Sequence, residues 1–159
     1  MRIAFGSDEK SHLTEYIERE LRQRGHEVES FGPPGGQPRE WVDVARAVAE
    51  RVGDGEADWG VLCCWTGTGV SIAANKVAGV RAALCGDAQT ARGARAWNDA
   101  NLLCLSLRTT TEALAGEIIE AWLSAAPDPT EAANVDKLKD LDGRIRSRAQ
   151  GAPVGGGER

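Results

Sequence analysis

Short runs of β-branched and apolar residues alternate along the chain with longer stretches whose apolar positions recur every three or four residues. Residues 2–6 (RIAFG) read as a strand. Residues 13–24 follow, with Leu13, Ile17 and Leu21 at helical spacing, and Gly25 is placed to end that helix. A second strand is expected at 27–31, and GPPGGQP at 32–38 is a loop by composition. Residues 40–52 carry Trp41, Val44, Ala45, Val48 and Val52 on one stripe, a second helix. Residues 58–64 (DWGVLCC) form a third strand, apolar on both faces after its start. A tight glycine turn at 66–69 leads into a short helix at 70–76. Strand four is expected at 80–85. Asp87 is a natural N-cap for a helix at 88–98. Strand five is expected at 102–107, and residues 110–125 form a helix striped by Leu114, Ile118, Ile119 and Trp122.

Continuous apolar strands alternating with helices imply a parallel sheet covered on both faces. Right-handed crossovers then give an α/β, Rossmann-like, doubly wound domain of five parallel strands, spanning residues 1–126. The segment 127–130 breaks the chain. Val135, Leu138, Leu141 and Ile145 line one face of a last helix within 131–148, which Gly143 weakens. That face has no obvious place on a completed domain. Residues 127–150 are therefore expected to pack on a partner subunit, and residues 151–159 (GAPVGGGER) form a tail.

Charge narrows the function. Lys and Arg number 19 against 24 Asp and Glu, a formal net charge of -5. An acidic chain with no long basic run is a poor ligand for nucleic acid or an anionic membrane. No apolar run approaches the roughly 18 residues of a spanning helix. The opening MRIAFGS has no basic-then-apolar signal segment, so a cytoplasmic protein is expected. The four cysteines, Cys63, Cys64, Cys85 and Cys104, show no CxxC spacing, and the histidines number two. A zinc site is not indicated, and reduced thiols are expected. Cys63, Cys85 and Cys104 read as small buried residues.

In an open α/β sheet, ligands bind beyond the carboxyl ends of the strands. Here those ends carry Ser7, Asp8, Glu9 and Lys10, then Cys64 to Gly69, then Gly86 and Asp87, then Arg108. CWTGTGVS at 64–71 is the distinctive segment. Its glycines let backbone N–H groups approach a ligand, and the following helix N-terminus favours an anion. The same field favours the thiolate of a cysteine held there, which Cys64 would supply.

GVLCCWTGTGVSIAANKVAGVRAAL at 60–84 resembles the central signature of the type B ribose-5-phosphate isomerases and their galactose-6-phosphate isomerase relatives, about GVLICGTGIGMSIAANKxxGIRAAL. SIAANK is intact at 71–76. IAFGSDE at 3–9 resembles an opening strand ending in GSDH, and ARAWNDANLLCLSLR at 94–108 resembles ARxHNDANVLxLGxR. Asp43, in WVDVA, matches the aspartate of YPDxA. The resemblance covers nearly all of residues 1–125.

The resemblance implies an aldose–ketose isomerase working through a cis-enediolate on a small sugar or sugar phosphate. Its base falls on Cys64. Thr66 and the Gly67, Thr68 and Gly69 turn match the part that holds the enediolate charge. Asp8 matches a residue binding substrate hydroxyls, and Asn98 and Arg108 match substrate contacts. No metal or organic cofactor is implied. A homo-oligomer is implied, dimer or tetramer, with sites at the subunit interface completed by the partner's terminal segment. The alternative is a catalytically silent binding or assembly protein on the same fold.

The departures fall at functional positions. The histidine of GSDH is Glu9, the glycine after the cysteine is Trp65, and the histidine credited with opening the sugar ring is Trp97. Aligned on Val135, Lys137 and Leu141, the phosphate-binding arginines fall on Thr130 and on Ala133 or Asn134. Each lost charge-assisted contact costs about 1.5–3 kcal/mol, unless Arg144, Arg146 or Arg148 replaces it. These changes predict a substrate shifted from ribose 5-phosphate, such as a four-carbon or unphosphorylated sugar. Trp65 and Trp97 can also be plain fillers, stacked on each other over the site, and Glu9 an exposed acid at a helix start.

Overall fold

A computed structural model describes residues 1–151, with side chains as far as Gly143. The strand β1 (Arg2–Ser7) is flanked by β2 (Glu27–Phe31) and β3 (Trp59–Cys64), and β5 (Leu102–Ser106) separates β3 from the edge strand β4 (Ala82–Leu84). All four pairings are parallel, in the order β2-β1-β3-β5-β4. The doubly wound parallel sheet expected from the alternation is therefore the observed one. The chain leaves β1 for β2 and returns to β3 on the other side, so the switch point lies between β1 and β3.

The two-residue period of the strands divides the core. Ile3, Phe5, Val61, Cys63, Leu103 and Leu105 face α1 (His12–Gln23), α4 (Ala88–Asn98) and α5 (Glu112–Ser124). Ala4, Leu62, Cys64, Leu102 and Cys104 face α2 (Trp41–Gly53) and α3 (Thr68–Ala74). Ser11 and Thr14 cap α1 reciprocally, and Gly25 follows its end at φ 85. Asp87 caps α4 through Thr90, as its position suggested.

Several bounds move for identifiable reasons. Strand four, expected at 80–85, is only Ala82–Leu84, because the Val80 N–H closes a turn on Val77 and the Arg81 N–H is taken by the Asn101 side chain. The Asn75 side chain instead pairs with the free edge, bonding both the N–H and the carbonyl of Ala82. The short helix expected at 70–76 begins at Thr68 and ends at Ala74, with Asn75 its C-cap. Two 3-10 turns, Pro33–Gly35 and Pro129–Glu131, interrupt stretches read as irregular.

The last helix, α6, spans Ala132–Gly151. The expectation that its apolar face finds no room on its own domain is corrected at one position: Val135 is buried within the chain. The Gly79 N–H donates to Asp142 at 2.9 Å, and Lys139 lies 3.7 Å from Asp99. Leu138 and Leu141 remain exposed. Ile145 and the arginines at 144, 146 and 148 lie outside the described side chains, and the tail at 152–159 lies outside the described residues. No helix among the described residues is long and apolar enough to cross a membrane.

Candidate active site

The carboxyl ends of β1, β3 and β5 meet at one end of the sheet. Ser7 stands opposite Cys63, and Cys64 opposite Ser106. Beyond the strands the pairing continues irregularly. Leu107 donates its N–H to the Cys64 carbonyl at 3.0 Å, while the Arg108 N–H and the Ser106 hydroxyl both reach the Trp65 carbonyl, at 2.9 and 3.0 Å. The turn after Cys64 is thus anchored by its backbone, and its side chains are left to face outward.

Gly67 shapes that turn. Its φ is +73, and a Cβ there would fall 2.5 Å from Leu84 Cδ1 and 3.0 Å from the Leu105 carbonyl group. Only glycine meets both demands. Its N–H donates to the Cys64 carbonyl at 3.2 Å, so it is spent within the turn. No side chain caps α3, which leaves the amides of Thr68 and Gly69 open to a ligand. The hydroxyls of Thr66 and Thr68 share a hydrogen bond of 2.7 Å beside them.

Neighbouring cysteines part as the strand period requires. Cys63 lies in the core shared with α1, α4 and α5, and burial pushes its thiol far above the usual range. Cys64 lies on the α2–α3 face, at the last position of β3, and is buried beneath the turn. All four thiols are free. Burial holds Cys85 up at about 12 and raises Cys104 strongly, although the Ser71 hydroxyl bonds the latter.

Asp8 follows β1 directly, half-buried. Burial, then the charges of Glu9 and Glu40, raise its carboxyl above the ordinary value, against a backbone hydrogen bond that lowers it. The Glu9 N–H is held by the buried Ser7 hydroxyl at 3.2 Å, and its side chain is exposed. Arg108 is exposed and makes no side-chain hydrogen bond or ion pair with the described residues. Asp8, Glu9, Cys64, Trp65, Thr66, Gly67, Thr68, Gly69 and Arg108 therefore share one end of the sheet.

Trp97 and Asn98 do not join them. They end α4, which runs from the carboxyl end of β4 back to the amino end of β5. Asn98 lines a cleft with Arg81, Ala82, Ala100 and Leu138. Trp97 is 56% exposed and lies back against Gly93, where a Cβ would fall 2.6 Å from its Cζ3. The stacking considered for Trp65 and Trp97 is absent: the rings that meet are Trp59 and Trp122, 6.2 Å apart and edge to face.

One residue of the site was misread. Trp41 looked like the first member of the core stripe of α2, yet it is 42% exposed and its ring rests on Gly69. Being at the first position of the helix, it overhangs the end of the core and meets the turn instead. Among the described residues, no group of three or more His, Cys, Asp or Glu is placed to hold a metal ion.

An uncapped glycine turn thus follows a buried cysteine at the switch point of a five-stranded parallel sheet. The sequence matches the family described as Ribose/Galactose Isomerase over residues 3–139, and the chain belongs to that family of sugar-phosphate aldose–ketose isomerases. It is 42% identical over 130 residues to D-erythrulose-4-phosphate isomerase of Pectobacterium atrosepticum, covering 77% of this chain and 82% of that one. A ribose-5-phosphate isomerase B from Clostridium thermocellum superposes with a TM-score of 0.84 at 39% identity, covering 91% of this chain and 99% of the other. The ribose-5-phosphate isomerase B of Mycoplasma genitalium, solved with bound ribulose 5-phosphate, gives 0.82 at 33% identity, over 89% and 96%.

Proposed function

We propose that this protein isomerises a short phosphorylated sugar, a tetrulose 4-phosphate, through a cis-enediolate with Cys64 as the base. The Cys64 thiolate takes the proton from C1 of the ketose. The electron pair becomes the C1–C2 double bond, the carbonyl oxygen takes the negative charge, and the thiol returns the proton at C2. The Thr68 and Gly69 amides, open at the head of α3, stabilise that oxygen where charge develops. The Thr66 hydroxyl, relayed to Thr68, is placed to exchange the proton between O1 and O2. Asp8 and Asn98 bind sugar hydroxyls, Trp65 walls the pocket mouth, and Arg108, which makes no ion pair with the described residues, is suited to the phosphate.

The observation that carries the substrate is Trp97. A pentose 5-phosphate arrives mostly as a ring and needs an acid to open it. A four-carbon sugar with its O4 phosphorylated has no hydroxyl placed to close a five-membered ring. Tryptophan, which has no proton to give at neutral pH, suffices only for the second. The erythrulose-phosphate name of a relative 42% identical supports the same choice. Glu9, where the resemblance has a histidine, weakens the hold on the phosphate of either sugar and does not choose between them.

The working unit is a homo-oligomer, dimer or tetramer, in which a second copy brings Trp97 and Asn98 to this copy's Cys64 turn. Their place at the opposite end of the sheet supports this reading. Four free thiols suit a reducing cytoplasm. The test is a side-by-side assay of tetrulose 4-phosphates, ribose 5-phosphate and free sugars, with light scattering at micromolar concentration. Turnover of tetrulose phosphate by an oligomer is expected. A kcat/KM on ribose 5-phosphate within the roughly 10⁴–10⁸ M⁻¹s⁻¹ of ordinary enzymes, or a monomer, overturns it. Silence on every sugar points instead to a binding protein on this fold.

A further inference from the structure

Asp99 is the single non-glycine residue with positive φ among the described residues, at φ 45 and ψ 42, where it ends α4. A left-handed backbone at a residue with a Cβ persists only where its surroundings hold it. Here they do. The Asp99 carboxylate receives Arg81 Nη2 at 3.0 Å and Arg95 Nη1 at 3.3 Å, and Lys139 Nζ of α6 stands 3.7 Å away. Arg81 also donates through Nε to the Asp99 carbonyl at 2.7 Å.

The cations are fixed in turn. Arg95 is buried, its guanidinium 4.4 Å from the Trp59 ring centre, and it bonds the Ala100 carbonyl at 2.5 Å. Arg81 is tied through its N–H to the Asn101 side chain. One carboxylate therefore joins the end of α4, the approach to β4 and the C-terminal helix. The two residues just before it, Trp97 and Asn98, carry exposed side chains. A rigid, ion-paired backbone that presents free side chains is what a residue destined for another surface requires.

We propose that Asp99 is a positioning residue: its clamp by Arg81, Arg95 and Lys139 sets the aim of Asn98 and Trp97 into the catalytic pocket. The inference rests on the reading that those two residues complete a site. It adds that the C-terminal helix, through Lys139, helps to hold their angle.

The experiment is a mutant cycle on the full-length protein with its best sugar phosphate. Asp99→Gly keeps the left-handed backbone accessible and removes all three side-chain ties. Asp99→Asn also tolerates that backbone and keeps one hydrogen bond to Arg81. Asp99→Gly is expected to lower kcat/KM about ten- to hundredfold, with circular dichroism and oligomeric mass unchanged, and Asp99→Asn to lose less. In an Asn98→Ala background the Asp99→Gly loss should shrink, because one of the two residues being aimed is already gone. A loss that persists in full in that background, or no loss in the parent, overturns the proposal. If Asn98→Ala alone leaves turnover intact, the reading of Asn98 as a substrate contact fails first and takes the proposal with it. Should Asp99→Gly not fold, Asp99→Asn carries the same cycle, with the same expected and overturning results.

Discussion

The indole of Trp41 rests on Gly69: a Cβ on that glycine would fall 3.1 Å from Trp41 Cε3 and 3.2 Å from Cζ3. The ring thus borders one of the two open amides while much of its surface faces water. Trp41→Ala should cost little stability, about 1 kcal/mol or less, as exposed side chains do, yet lower kcat/KM on a sugar substrate. Gly69→Ala should act more gently, because a half-exposed ring can give by a few tenths of an ångström. Thermal melts beside steady-state kinetics separate the two effects. A Trp41→Ala variant that loses stability but no activity would make the ring a packing residue only.

The two adjacent cysteines give a sharper contrast. Cys64 borders the glycine turn, whereas Cys63 points into the opposite core. Cys64→Ala should abolish deuterium exchange from solvent into the sugar. Cys63→Ala should keep it and cost about 1–2 kcal/mol of stability from the small cavity. Full turnover in Cys64→Ala would remove the mechanism.

The sheet and its two helical layers were legible because short continuous apolar runs alternate with helical stripes, and Cys63 and Cys64 separate as the strand period of two demands. The turn at 64–69 was legible because few purposes need two glycines and two threonines there. Trp41 was not, since a helical stripe carries no information about where the core beneath it ends. Nor was the distance between Cys64 and Asn98: a motif names both residues, but the length and direction of α4 decide that they occupy opposite ends of the sheet within one copy. Of the Asp99 clamp only the Arg95 pair, four residues apart at the end of α4, has a local spacing; Arg81 and Lys139 reach the carboxylate only in the folded chain.

Arg95 should be a stability determinant as well as a clamp. It is buried between Trp59 and Trp122, with its guanidinium 4.4 and 5.7 Å from their rings. Burial lowers its pKa, and Asp99 opposes that. Arg95→Ala loses the ring contact, the bond to the Ala100 carbonyl and packed volume, together about 2–4 kcal/mol. Arg95→Met restores volume without an unpaired charge and should recover at least half. Denaturant melts of both variants check this, and equal losses would place the cost in the charge alone.

Asp58 links the start of β1 to the start of β3. Its carboxylate accepts the Arg2 N–H at 2.7 Å, which holds its pKa below the usual 3.8, with Arg2's charge assisting. A lowered folded pKa contributes stability that is present above pH 3.8 and is lost as pH falls through the folded value. Asp58→Asn should therefore lower Tm at pH 7, and the gap from the parent should narrow as pH falls below 3.8. A gap independent of pH would assign the effect to geometry and not to charge.

Trp97→His tests the substrate argument from the other side. The tryptophan is 56% exposed and its ring lies against Gly93, outside the buried core, so a smaller ring can replace it without opening the core. Histidine there restores an acid with a pKa near neutrality, the group a cyclised pentose phosphate needs before its carbonyl is free. General acid catalysis is worth about 10²–10⁴-fold, so ribose 5-phosphate turnover should rise by at least tenfold in Trp97→His. Tetrulose phosphate, already open, gains nothing from the acid, and its kcat/KM should stay level or fall as the apolar wall is lost. Pre-opening matters only for the pentose, so the ratio of the two activities is the informative number, measured on the same preparation at pH 7. A ratio that does not move would mean that ring opening does not limit this enzyme, and that the pocket excludes pentoses by its size.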